Sequence, residues 1–184
     1  MKRWQTVIAG CALLTPLLLL YHTTYAAKKP PVLLPQANTG LQNLRAFLLM
    51  IQYAEGTYGN NAYRTLFGGG FFSDYRQHPG IAITRNGITS TAAGAYQFLY
   101  RTWVELQQVL RLPDFSPASQ DRAAIELIRR KDAVADVQAG RIATAIYKCR
   151  KVWASFPGAG YGQGERALIH LLSVYQQFGG KITN

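Results

Sequence analysis

The spacing of apolar residues changes twice along this chain, and that change restricts its fold more than any other feature. Four apolar residues follow one another at intervals of three, four and three, which marks one face of an amphipathic helix: Leu41, Leu44, Leu48 and Ile51. Residues 57–91 are instead rich in Gly, Asn, Tyr and Pro, and helical spacing returns after Gly94. The pattern predicts an α+β, mainly helical fold with a small β-like region between the first helices.

Turn residues and helix caps predict the bounds of individual elements. In the irregular stretch we expect strands or loops over residues 71–74 and 81–84, followed by a tight turn at Asn86-Gly87. Ser116 is a good N-cap for a helix that has Pro117 in its first position. The predicted helices cover residues 96–110, 117–130, a segment ending near Gly140, 142–153, and 164–178, the last stopped by Gly179.

The length and the cysteine content limit the domain organisation. A chain of 184 residues with 48% hydrophobic and 16% charged residues suits one packed domain. Residues 27–40 are rich in Pro and predict an extended linker, which leaves residues 41–184 for the domain. Of the two cysteines, Cys11 lies in the N-terminal apolar segment and Cys149 is expected to be buried, so we predict no disulfide framework.

The charge balance favours an anionic partner. Twenty basic residues stand against nine acidic ones, a formal net charge of +11. A protein with this charge is attracted to nucleic acid, anionic lipid or the anionic bacterial wall. The basic residues are dispersed along the chain, whereas phosphate backbones usually meet clustered arms or stripes. We therefore expect loose adhesion to an anionic mesh and no nucleic-acid partner.

The N-terminus has the three parts of a secretory signal. Lys2 and Arg3 precede an apolar run over residues 4–21, and small residues including Thr24 and Ala26 follow it. We expect residues 1–26 to act as a signal peptide cleaved after Ala26, or as a signal anchor. The protein is then exported to the periplasm or secreted, with membrane contact through this segment only.

Two alternatives remain for the same segment. Its apolar run of about 18 residues is at the lower limit for spanning a bilayer, so it could stay as an inner-membrane anchor, although Gly10 and Pro16 weaken such a helix. Residues 8–11 resemble a lipoprotein cleavage box. Most of the apolar run follows Cys11 instead of preceding it, which disfavours that interpretation.

One acid continues the first apolar stripe. Glu55 lies four residues after Ile51, at the predicted helix end and directly before Gly56. Partial burial there would raise the pKa of its carboxyl group, and a Glu that holds its proton near neutral pH can act as a general acid. The alternative is a structural ion pair at the helix end, for which three arginines are available: Arg64, Arg76 and Arg85.

A second catalytic carboxylate is not evident. Glycosidases ordinarily place two acids across the scissile bond. Asp74 is the next acid after Glu55, and its sequence setting is typical of a turn. A single acid without a clear partner indicates a mechanism in which the substrate supplies the nucleophile.

Several motifs in a fixed order carry a resemblance to a known family. They are residues 54–57 (AEGT), 72–75 (FSDY) with 78–79 (HP), 90–97 (STAAGAYQ), 114–117 (DFSP) with 119–121 (SQD), and 153–163 (WASFPGAGYGQ). Together they resemble the phage lambda endolysin family, over roughly residues 44–180. The chain departs from the family pattern at Arg64 and Gly70, where an acid is expected, and in its N-terminal signal.

The resemblance implies a lysozyme-like catalytic domain and a lytic transglycosylase activity. Such enzymes cut the bond between N-acetylmuramic acid and N-acetylglucosamine in peptidoglycan without adding water, and leave a 1,6-anhydro end. Glu55 matches the family's catalytic acid, and no cofactor is implied. The implied partner is the peptidoglycan glycan strand, and the protein is expected to act on it as a monomer. The alternatives are a hydrolytic lysozyme on the same fold and a non-catalytic cationic protein that binds the wall or acts on membranes.

The substrate-binding residues are expected near the same motifs. The Gly-x-x-Gln signature implies that Gly94 admits the glycan to the backbone and that Gln97 meets an acetamido group. The full predicted set is Gly94, Tyr96, Gln97, Tyr161, Asp74 and His78. His78 also fits a loop hydrogen-bonding role, and with His170 far along the chain it indicates no metal site. Trp103 and Trp153 are expected in the core.

Overall fold

The computed structural model describes residues 36–162 and 164–183, and all N-terminal signal residues lie outside this range. A short 3₁₀ helix, Ala62–Arg64, follows the first helix. The remaining elements, in chain order, are α1 (Gln36–Ala54), β1 (Ile83–Arg85), β2 (Ile88–Ser90), α2 (Tyr100–Leu110), α3 (Pro117–Arg129), α4 (Val134–Ala139), α5 (Ile142–Cys149) and α6 (Leu168–Gln177). The mainly helical α+β prediction is confirmed.

Helix α1 is the central element, because it packs against both α4 and α6. Its inner face is fully buried at Ala46, Phe47, Met50 and Ile51. The predicted stripe was wrong at its start, since Leu41 is 64% exposed. The helix also begins at Gln36, so residues 36–40, expected in the linker, are helical. The rest of the predicted linker lies outside the described residues.

The small β-sheet is a single hairpin. Strands β1 and β2 pair in antiparallel register, with Ile83 opposite Ser90. The predicted tight turn is present, because Asn86 and Gly87 adopt φ angles of +49° and +76°. Residues 71–74 do not form a strand: Phe71 makes only an isolated bridge to Thr65.

The helices after the hairpin are shorter than the apolar spacing predicts. Helix α2 begins at Tyr100 instead of residue 96, because Ala93 pairs with Phe98 and Gln97 adopts a positive φ of +49°. Helix α5 ends at Cys149 and α6 begins at Leu168, so the predicted extensions to residue 153 and from residue 164 are loop.

Predictions that depend on local capping are confirmed. The Ser116 hydroxyl accepts a hydrogen bond from the backbone N–H of Ser119, and Pro117 opens α3. Gly140, with a φ of +80°, ends α4.

The core contains the large aromatic residues and the described cysteine. Trp103 and Trp153 are buried, as predicted. Cys149 is fully buried, and burial raises the pKa of its thiol to about 12, so this group is inert at neutral pH. Within residues 36–162 and 164–183, no helix is long and apolar enough to cross a membrane.

Candidate active site

Glu55 lies directly after the last residue of α1. Its backbone N–H still donates to the Ile51 carbonyl at 2.9 Å, and Gly56 then turns the chain with a φ of +72°. The carboxyl group is half-buried and lines a cleft. The sequence predicted this partial burial from the position of Glu55 at the end of the apolar stripe.

Opposing effects set the proton affinity of Glu55. Burial removes water from the carboxylate and raises its pKa. The Ser155 hydroxyl donates to Oε1 of Glu55 at 2.5 Å, and this bond, the Ser155 backbone and the charge of Arg166 favour the ionised form. Burial is the largest effect, so the pKa of Glu55 lies above its ordinary value and the group can hold a proton toward neutral pH.

Arg166 fixes Ser155 over the acid. Its backbone N–H donates to the Ser155 carbonyl at 2.8 Å, and its Nε donates to the Ala54 carbonyl at the end of α1 at 3.4 Å. The guanidinium carbon also lies 5.8 Å from the centre of the Tyr53 ring. One arginine thus joins the segment that carries Ser155 to the helix that carries Glu55.

The cleft has a volume of about 640 Å³, which is large enough for part of an oligosaccharide. Its walls come from the loop and hairpin between α1 and α2, from α2, from the end of α3, and from the segment after α5. The residues with chemical groups of interest on these walls are Glu55, Ser90, Tyr96, Gln97, Glu105, Arg130, Lys131, Lys151, Trp153 and Tyr161.

Gln97 and Tyr161 are the predicted binding residues that expose polar groups in this cleft. The Gln97 side-chain Nε2 donates to the carbonyls of Thr65 and Gly94, which fixes the amide and leaves its Oε1 without a partner among the described residues. Tyr161 is 52% exposed, and its hydroxyl donates to the Lys151 carbonyl at 3.1 Å. Both groups can meet polar substituents of a bound sugar.

Comparison with known proteins gives a consistent result. Residues 45–182 match a protein-family model described as Endolysin. The chain is 45% identical over 163 residues to an endolysin of Escherichia phage P2, covering 80% of this chain and 98% of that protein. It is 40% identical over 145 residues to an endolysin of Escherichia phage lambda, covering 75% and 92%.

The chain belongs to the endolysin family. Its fold is similar to a solved structure of bacteriophage lambda lysozyme complexed with a chitohexasaccharide, with a TM-score of 0.75 and 38% identity over 77% of this chain and 97% of that one. A second structure of lysozyme from bacteriophage lambda gives a TM-score of 0.72, also at 38% identity. The lysozyme-like fold implied by the sequence motifs is therefore confirmed.

Three members of the predicted binding set do not line the cleft of this endolysin-family chain. Asp74 is on the surface, where the Arg76 side chain and backbone donate to it and hold the pKa of its carboxyl below the usual range. Gly94 is buried, and a Cβ there would collide with the Gln120 amide and the Phe115 ring. This close internal packing and a positive φ of +78° account for the glycine without any need for access by a glycan.

His78 is the third. It is 3% exposed, its Nδ1 accepts from the Gly80 backbone N–H at 3.0 Å, and its Nε2 donates to the Phe98 carbonyl at 2.8 Å. Burial lowers the pKa of the ring, so the neutral form prevails. The loop hydrogen-bonding interpretation fits this geometry, and the assignment to substrate binding does not.

Tyr96 borders the cleft, but its hydroxyl points into a buried polar network. That hydroxyl donates to Oδ1 of Asp121 at 2.6 Å, and Tyr63 donates to the same oxygen at 2.9 Å. Gln52, one turn before Glu55 on α1, donates to the Tyr96 hydroxyl at 3.3 Å. The network ties α1, the Gly-x-x-Gln segment and α3 together.

The contacts of Thr57 give the second residue after the acid a structural role. Its hydroxyl lies 2.6 Å from the Ala95 carbonyl and 3.1 Å from the Gln52 carbonyl. This contact fastens the turn after Glu55 to the segment that carries Gln97. It positions the acid and the amide relative to each other.

The cleft offers no second free carboxylate among the described residues. Apart from Glu55, the only acid on its described walls is Glu105, which pairs with Arg130 at 2.7 Å. Among the described residues, Glu55 forms no ion pair with Arg64, Arg76 or Arg85: the Arg64 Nε donates to the Phe72 carbonyl, and Arg76 pairs with Asp74. In the part of the chain that the structure describes, no group of three or more His, Cys, Asp and Glu side chains could hold a metal ion.

Sequence reasoning missed the role of two residues. Ser155 lies within the WASFPGAGYGQ motif, but nothing in the spacing connects it with an acid one hundred positions earlier. Arg166 belongs to no quoted motif, and its contacts with Ala54 and Tyr53 exist only in the folded chain. The one signal available in the sequence was that Ser155 carries a hydroxyl group and lies within a family motif.

Proposed function

We propose that this chain is a peptidoglycan lytic transglycosylase that cleaves the bond between N-acetylmuramic acid and N-acetylglucosamine. Membership of the endolysin family supports action on the bacterial cell wall, since the curated relatives are endolysins and the solved relatives are lysozymes. The observation that carries the finer proposal is a single carboxyl whose pKa is raised by burial, Glu55, in a cleft whose other described acid forms an ion pair with an arginine.

The reaction needs only that one group. Protonated Glu55 gives its proton to the bridging oxygen as the bond from that oxygen to C1 of the muramic acid breaks. The Glu55 carboxylate then takes the proton from the 6-hydroxyl of the same sugar, and O6 bonds to C1. The proton returns to Glu55, no water is consumed, and the product carries a 1,6-anhydro ring.

The surrounding groups have supporting roles. Ser155 stabilises the carboxylate that forms midway through the cycle, because its hydroxyl donates to Oε1. The Gln97 amide, fixed through its Nε2, offers Oε1 to the N–H of an acetamido group. The exposed Tyr161 borders the same sugar-binding space.

Analysis of digested peptidoglycan tests the reaction. Purified sacculi are incubated with the wild-type protein, and the soluble products are separated and weighed by mass spectrometry. We expect muropeptides lighter by one water, with no new reducing ends. Free reducing ends instead would establish hydrolysis, the second activity that this fold can carry.

A Glu55→Gln variant separates enzymatic lysis from charge-driven lysis. It keeps the shape of the side chain and the basic surface but cannot release a proton. We expect a loss of activity of about 10²-fold or more. Undiminished lysis would show that the cationic surface is responsible and would overturn the enzymatic proposal.

Export is part of the proposal. Lys2, Arg3 and the apolar run over residues 4–21 support delivery across the inner membrane, with membrane contact restricted to that segment and the folded domain acting as a monomer. N-terminal sequencing of the exported protein tests cleavage after Ala26. An intact N-terminus in the membrane fraction would favour the anchor.

A further inference from the structure

We propose that Lys131 makes the cleft selective for glycan strands whose stem peptides carry free carboxylates. The proposal rests on the proposed function and names the part of the substrate that this end of the cleft binds. Lys131 follows α3 and is exposed on the cleft wall formed by Leu127, Arg130 and Lys131.

The charges on the described walls do not cancel. Arg130 is neutralised by two carboxylates: its Nη1 donates to Glu105 at 2.7 Å and its Nε to Glu126 at 3.0 Å. Two ammonium groups, those of Lys131 and Lys151, remain without an ion pair among the described residues.

Lys151 is already committed to the fold. Its Nζ donates to the Ala159 carbonyl and lies 5.5 Å from the centre of the Tyr161 ring. The ammonium group of Lys131 has no such hydrogen bond within residues 36–162 and 164–183, and only its backbone N–H is engaged, with the Ile128 carbonyl. Among the described residues of the cleft, Lys131 is therefore the cation that is available to a ligand.

The chemistry of the substrate suggests what this cation meets. The amino sugars of the glycan offer an ammonium group only neutral hydroxyl and acetamido groups. The stem peptides attached to the muramic acid carry free carboxylates, the ordinary partner of an exposed lysine. A strand that places its scissile bond at Glu55 carries such peptides along the same cleft.

The positive charge of Lys131 also interacts favourably with the dipole at the C-terminal end of α3, so its removal affects stability as well. The test must therefore separate an effect on substrate binding from an effect on folding. Cleavage kinetics are measured on peptide-bearing strands and on the same strands after their carboxylates have been converted to amides. For Lys131→Gln we expect a KM about fivefold higher on the native strands, as for the loss of one exposed ion pair, with kcat unchanged. On amidated strands the wild type and the variant should agree.

Matched variants complete the test. Arg45→Gln removes the same charge from an exposed site on α1 that does not line the cleft, and should leave KM on native strands unchanged. Lys131→Arg should restore most of the wild-type KM. An equal change on native and amidated strands, or an equal effect of Arg45→Gln, would overturn the proposal.

A binding measurement tests the role of Lys131 independently of the lytic reaction. The affinity of a soluble disaccharide-peptide is measured calorimetrically with Glu55→Gln and with the Glu55→Gln, Lys131→Gln double variant, neither of which needs to turn over. We expect about fivefold weaker binding by the double variant. Equal affinities would refute the role of Lys131 even if the lytic reaction is established, and weaker binding would support it even if that reaction fails.

Discussion

Replacing Ser155 with alanine should move the pH dependence of the endolysin-family enzyme in a direction that the structure fixes. The Ser155 hydroxyl donates to Oε1 of Glu55 at 2.5 Å and so stabilises the carboxylate over the acid. Without it, the ionised form loses a partner that buried surroundings do not readily replace with water, since Ser155 is 8% exposed. The pKa of Glu55 should therefore rise further.

The size of the effect follows from one hydrogen bond to a charged group. Such a bond contributes about 1.5–3 kcal/mol, and we take the lower end of that range because Glu55 is partly exposed to the cleft. A free-energy change of about 1.4 kcal/mol corresponds to roughly one pH unit. The first step requires protonated Glu55, so kcat/KM declines as the pH rises through its pKa. In Ser155→Ala this alkaline decline should lie roughly one pH unit higher.

The assay is the rate of muropeptide release from purified sacculi between about pH 4 and pH 9, at constant ionic strength. Ser155→Thr keeps the hydroxyl group and serves as the matched control, with an alkaline decline close to that of the wild type. Thermal unfolding of each variant checks that the fold is intact. A decline that stays in place or moves to lower pH in Ser155→Ala would refute the assignment of Ser155 as the group that stabilises the carboxylate.

Three further predictions concern stability and the boundaries of the site. Because the folded protein binds the Glu55 proton more tightly than the unfolded chain does, Glu55 lowers the free energy of unfolding as pH rises above its ordinary pKa. Measured by calorimetry, Glu55→Gln should therefore raise Tm near pH 8 and hardly change it at about pH 4, and an equal gain at both pH values would contradict this. In urea unfolding, Gly94→Ala should lower the free energy of unfolding by about 3 kcal/mol, since its Cβ would meet buried side chains. Gly87→Ala has a similar φ but lies in open space, so it should lower that free energy by about 1 kcal/mol. Equal losses of stability in the two variants would count against the packing argument. Asp74→Asn should leave sacculus cleavage within about twofold of wild type, because Asp74 forms only a surface ion pair with Arg76, and a tenfold loss would return Asp74 to the binding site.

Features that depend on neighbours in sequence could be predicted without the structure. The position of Glu55 at the end of a buried helix face follows from residues within four positions of it. The turn at Asn86-Gly87 and the start of α3 at Ser116-Pro117 follow from backbone preferences of those residues alone. These predictions agree with the structure because no distant contact competes with them.

Features that depend on distant contacts could not be predicted. Residues 96–99 have helical apolar spacing, but the pairing of Ala93 with Phe98 excludes a helix there. Gly94 looks like a ligand-approach glycine in sequence, and only the placement of Gln120 against it reveals a packing constraint. Asp74 and His78 belong to family motifs, yet neither residue lines the cleft: Asp74 forms a surface ion pair, and His78 makes hydrogen bonds to backbone groups.

The proton affinity of Glu55 is a property of the tertiary fold more than of its own segment. Helix α1 contributes only influences that favour the protonated acid: a partly buried position, and the negative end of the dipole of a 19-residue helix. Both stabilisers of the carboxylate, Ser155 and Arg166, come from the segment between α5 and α6. Arg166 also donates a hydrogen bond to the Ala54 carbonyl, which holds the segment between α5 and α6 against the end of α1. Because Glu55 first gives and then regains a proton, both its protonated form and its carboxylate must be accessible. Helix α1 favours the protonated form, and the segment between α5 and α6 stabilises the carboxylate.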